Sequence, residues 1–98
     1  MRAPLRTLDT LDTLEARLER AVQAVRSAEE QRDRALYAAE VAADRLWEAI
    51  DAGRSPREIA VLHCLHDRAE TRARAAIMAV VVARDALNAL APPDPEAA

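Results

Sequence analysis

One glycine, Gly53, and prolines confined to positions 4, 56, 92, 93 and 95 leave this 98-residue chain with two long stretches in which nothing stops a helix. Glycine and proline cost a helix interior most, about 1 and 3 kcal/mol relative to alanine, so their placement says where helices are permitted. The segment around Gly53 also carries positive signals. Ser55 is a good N-cap, Pro56 suits the first helical position, and Glu58 stands where a capping-box side chain reaches back to the cap amide. Gly53 fits the left-handed residue that ends a preceding helix. These signals predict one helix over about 9–52, a turn at 53–55 and a second helix over about 56–91. Asp9 or Asp12 would cap the first helix, and 92–98 would form a disordered tail after the prolines. The whole of 1–91 reads as a single helical domain.

Apolar positions recur at a helical period in both stretches. In the first they run Leu11, Leu14, Leu18, Val22 and Val25, then Leu36, Ala39, Ala43, Leu46 and Ile50. In the second they run Ile59, Leu62, Leu65, Ala69 and Ala73, then Ala76, Val80, Ala83, Leu87 and Leu90. Folding the chain back at Gly53 sets Leu46 near Leu62, Ala39 near Ala69 and Leu18 near Leu90. Large residues meet at both ends of this antiparallel hairpin and alanines meet in the middle, where Glu29 to Arg34 also turns the first helix polar. A methyl group contributes only about 0.8 kcal/mol when buried, so the middle of a lone hairpin is weakly packed. A second copy or another protein would relieve this, and assembly into a four-helix bundle is the expected architecture. Leu5, Leu8, Leu11, Leu14 and Leu18 add apolar surface at the open end and are the expected interface.

Composition narrows the functions available. Hydrophobic residues make up 51%, yet Phe is absent and Tyr37 and Trp47 are the sole aromatics, so the core is thin. The net charge of -3 disfavours a sequence-independent nucleic-acid binder, whose affinity comes from neutralising phosphates. Cys64 has no partner for an intrachain disulfide, which fits a reducing cytoplasm. Met1 to Leu14 interrupts its leucines with Asp and Thr and lacks the apolar run of a signal peptide. The longest apolar run, Ala75 to Ala83, falls far short of the roughly 20 residues that span a bilayer, so no membrane association is expected.

Chemistry-bearing residues are few. His63, Cys64, His66, Asp67 and Glu70 cluster in sequence, and His63, Asp67 and Glu70 share a helical face. Di-metal helical bundles use Glu-x-x-His on inward faces, whereas Ala60 stands three residues before His63, so no metal, cofactor or catalytic residue is assigned. Ser27 and Ser55 have no glycine-rich turn beside them to hold an oxyanion or a phosphate.

One resemblance bears on function. The run from Ala52 to Ala60, with Gly53, Ser55 and Arg57-Glu58-Ile59-Ala60, resembles the opening of the helix-turn-helix of small bacterial regulators. Extended to Ile77 it covers about a quarter of the chain. It implies a turn near Cys64 to Asp67, with Asp67 capping a recognition helix whose Arg68, Arg72 and Arg74 meet DNA. Cys64, His66 and Glu70 depart from the glycine, serine and buried valine of that pattern. The expectation preferred on these grounds is a non-enzymatic helical protein–protein interaction or scaffold module, forming a homodimer or binding another protein. A DNA-binding regulator using residues 55–77 is the alternative.

Overall fold

The computed structural model describes residues 2–90, with side chains placed from Thr13 onward. Those residues form two helices and no strand: α1 (Arg2–Asp51) and α2 (Pro56–Leu90), an extended hairpin. α1 begins at Arg2, ahead of the expected start near residue 9. Pro4 falls in its first turn, where the missing N–H would have had no intrahelical partner. Asp9 and Asp12 are therefore inside α1 and do not cap it. The side chains of Leu5, Leu8 and Leu11, and the tail at 92–98, lie outside the described residues. At 1.5 Å per residue the 50 residues of α1 span about 75 Å and the 35 of α2 about 53 Å, which accounts for overall dimensions of 77 × 33 × 13 Å. No described helix is long and apolar enough to cross a membrane.

The turn is built by local chemistry. Gly53 adopts φ +66°, and two hydrogen bonds close the end of α1: Gly53 N–H donates to the Ile50 carbonyl at 3.1 Å, and Arg54 N–H to the Ala49 carbonyl at 3.0 Å. This is the Schellman pairing that satisfies the last carbonyls of a helix. On the other side the Glu58 N–H donates to Ser55 Oγ at 3.2 Å, the N-cap bond that the sequence implies. The Glu58 carboxylate does not return to the cap; it faces the Arg54 guanidinium at 3.8 Å.

The seam between the helices follows an alternating spacing of three and four residues. On α1 it runs through Leu18, Val25, Arg32, Ala39 and Leu46, and through Ala21, Ala28, Ala35, Ala42 and Ala49, all buried or half-buried. On α2 the same pattern takes Ile59, His66, Ala73, Val80 and Leu87 with Leu62, Ala69, Ala76, Ala83 and Leu90. The phase differs from the sequence expectation at five places: Ala21 and Ala42 stand in the seam where Val22 and Ala43 were expected, and at three more the bulkier residue is turned out. Ala35, Ala49 and His66 occupy the seam, while their neighbours Leu36, Ile50 and Leu65 stand exposed. The reason is spatial: an alanine every seventh residue lets the backbones approach closely, and the adjacent bulky side chains then project past the contact. Among the described residues only Ala28, Leu46, Ala49, Ala73 and Val80 are buried.

Two outcomes follow for stability in denaturant titrations. Gly53→Ala lowers stability by about 1–2 kcal/mol, because an L residue is strained in the left-handed region. The added Cβ itself meets nothing within 4 Å, so a larger loss would mean a different origin. Ala73→Leu wedges the seam open and costs about 1–3 kcal/mol despite adding apolar surface.

Candidate functional site

The His/Cys/acid cluster separates once it is folded. His63 Nδ1 lies 3.5 Å from Asp67 Oδ2, and His66 Nε2 lies 3.3 Å from Glu70 Oε1, as two independent i,i+4 pairs. Glu70 is also held by Arg74 at 3.7 Å, and Cys64 is exposed away from both pairs. His66 turns into the seam whereas His63 stays outside it, so the imidazoles do not converge. Among the described residues no group of three or more His, Cys, Asp or Glu could share a metal ion.

The second helix is continuous as expected for the hairpin, and the turn that the helix-turn-helix resemblance implied near Cys64 to Asp67 is absent. α2 continues through it, and Thr71 Oγ1 donates to the Asp67 carbonyl at 2.9 Å, one helical turn back along an unbroken helix. Without that turn there is no separate recognition helix. Arg68 and Arg72 fall on one side of α2 and Arg74 on the other, beside Glu70.

What the fold does organise is a pair of broad faces, one on each side of the seam. Two contacts between the helices fix which residues share each face. On one side Arg84 Nη2 donates to Glu29 Oε2 at 3.3 Å. On the other, Arg45, Glu48 and Ala52 of α1 line a depression together with Glu58 and Leu62 of α2. Carrying the seven-residue repeat along each helix from these anchors assigns the rest.

The Glu29 side is acidic. It presents Glu15, Glu19, Asp33 and Glu40 of α1 and Asp67 and Glu70 of α2, with Arg26, Arg74 and Arg84 among them. It also carries bulky apolar groups: Leu36, Trp47 and Ile50 on α1, Ile77 and Val81 on α2, with Trp47 63% exposed.

The Arg45 side is basic. Arg17, Arg20, Arg34, Arg45, Arg68 and Arg72 stand on it against Glu48 and Glu58, and among the described residues none of those six arginines makes an ion pair. Its apolar groups are mostly small. Alanines at 24, 38, 75, 79 and 86 are joined by Val61, Leu65 and Val82, the last 64% exposed. Leu14 and Leu18, expected at an interface, are exposed and half-buried respectively, with Leu18 in the seam. The two faces escaped the sequence reading, although the alanines spaced by seven from Ala21 to Ala49 carried the phase that reveals them.

The chain matches no family model, no curated protein and no solved structure.

Hydrogen exchange reads the continuity of α2 directly. Amides from Leu62 to Glu70 exchange with one smoothly varying protection, and a local minimum near Cys64 to Asp67 would mean the helix breaks there.

Proposed function

We propose that this chain is a non-enzymatic helical protein–protein interaction module of the cytoplasm, a coiled-coil hairpin that self-associates as half of a four-helix bundle and holds or bridges another protein. One observation carries this reading: far more surface is exposed than a chain of this size leaves open when it is complete by itself. A folded monomer of 10.8 kDa exposes roughly 5,500 Å² by the usual scaling, and this one exposes 8093 Å². Its radius of gyration is 22.1 Å, where about 13 Å is typical of a compact chain of this length. The excess includes Trp47, Val61, Met78 and Val82, each more than half exposed, around a core of five small or medium side chains. Large apolar side chains exposed in this number mark an interface more often than a finished exterior. The strict seven-residue seam is the spacing that keeps two helices wound about each other, and it leaves further faces for more helices to join.

A second reading has one observation in its favour. The unpaired Arg34, Arg45, Arg68 and Arg72 share a face and would contact a phosphate backbone, making the module a DNA binder without a helix-turn-helix.

Light scattering after size exclusion, over a wide concentration range, tests the first reading. The expected mass exceeds one chain at micromolar concentration. Leu36→Ser with Ile77→Ser weakens the association tenfold or more, since each removes about 1.5–3 kcal/mol of apolar burial. A single-chain mass throughout overturns self-association. Salt-sensitive binding to duplex DNA that is lost in Arg68→Ala/Arg72→Ala would favour the second reading.

A further inference from the structure

We propose that copies of this chain associate front to back, the acidic face of one seated on the basic face of the next. The inference rests on the self-association proposed for the module and revises how it is built: each front-to-back contact brings four helices together, but the assembly does not stop at two chains.

Charge and shape point the same way. Each face meets its own sign if two copies are related by a two-fold axis through it. The basic face would oppose Arg68 and Arg72 to their own copies and to Arg34 and Arg45. The acidic face would oppose Glu19, Asp33 and Glu40 to theirs. Like charges directly juxtaposed across an interface are a strong bar to association. Set front to back, the same groups become partners. Among the described residues Arg17, Arg20, Arg34, Arg45, Arg68 and Arg72 make no ion pair, so their charge is available to a neighbour. The acidic face offers the matching carboxylates: Glu15, Glu19 and Glu40 are exposed and, among the described residues, likewise without an ion pair.

Size is complementary too. The acidic face carries large side chains, Leu36, Trp47, Ile50, Ile77 and Val81, each at least 41% exposed. The basic face is floored by alanines, including those at 38, 75 and 79, with Val61, Leu65 and Val82 between them. Bulky groups against bulky groups leave gaps, whereas bulky groups against an alanine floor interdigitate.

The area fits this arrangement. A stable interface takes about 800 Å² from each partner. Each copy inside a front-to-back stack loses both faces, about 1,600 Å², from an excess of roughly 2,500 Å² over the monomer expectation. A closed pair joined through one face would leave the other uncovered. A phosphate backbone is a poorer occupant of the basic face, since it has no use for Val61, Leu65 and Val82 and would be repelled by a chain of net charge -3.

A front-to-back contact is not closed by a two-fold axis, so each assembly keeps one free face of each kind and grows until a ring closes or another protein caps it.

The test uses the full chain and two charge-swap variants at exposed positions, Arg68→Glu/Arg72→Glu on the basic face and Glu19→Arg/Glu40→Arg on the acidic face. Circular dichroism verifies that each remains helical, and light scattering gives the mass. The wild type is expected to grow past two chains with concentration and to dissociate as salt rises. Each variant alone is expected to be monomeric, because it has lost one of the two complementary faces. An equimolar mixture is expected to regain a mass of two chains or more, since one intact acidic face then finds one intact basic face and the two reversed faces also suit each other.

Variants that each still pair alone, or a mixture that stays monomeric, would overturn the front-to-back contact. A wild-type dimer that neither grows nor responds to salt would overturn it as well, while leaving self-association standing. A wild type that is monomeric at every concentration removes both. If that monomer binds a random-sequence duplex at low salt and the Arg68→Glu/Arg72→Glu variant does not, the basic face belongs to nucleic acid.

Discussion

An alanine at every seventh residue of α1, from Ala21 to Ala49, governs how near the two helices lie, and the rest of the molecule follows from that distance. Alanine contributes little transfer free energy, but it loses no side-chain entropy on burial and admits close backbone contact over many turns. The cohesion is thus spread thinly along a long line, with Leu46 and Val80 as the larger anchors. A seam this narrow has no room for the residues beside it. Leu36, Ile50, Leu65 and Ile77 are displaced onto the faces, and this displacement gives the chain its exposed apolar surface.

The polar middle of the hairpin is accommodated by the same geometry. Arg32 lies in the seam with its side chain 27% exposed and its Nε 3.1 Å from Asp33, so the guanidinium snorkels out past the small neighbours. Glu29 bridges to Arg84 next to it. Both partners of that bridge are substantially exposed, so it contributes under about 1 kcal/mol and acts mainly to fix the register of α2 on α1.

The two helices and the turn were legible in the sequence because their signals are local. Gly53, Ser55 and Pro56 act within one or two residues of where they stand, and no distant contact alters what they impose. The phase of the seam was harder to read. At Ala35/Leu36, Ala49/Ile50 and Leu65/His66, neighbours 100° apart compete for the same place, and bulk alone selects the wrong one when the partner helix is alanine-lined. The faces depend on that phase, since a shift of one residue carries Arg45 or Glu40 to another side of the helix. The opposition of acidic and basic surfaces was therefore invisible until the seam was fixed. The resemblance to a helix-turn-helix failed for a related reason: Arg57, Glu58, Ile59 and Ala60 serve equally well to begin any capped helix, and nothing after them ends it.

The Gly53 turn also sets an order of events in folding. Residues joined across the hairpin are closest in sequence beside the turn and grow steadily farther apart toward the open end, so each added layer lengthens the loop already closed by only one turn per helix. Such a chain zips outward from Gly53 and Ser55, with little loop entropy to overcome at each step. Trp47, a few residues from the turn, therefore sits where the least loop entropy opposes pairing of the two helices.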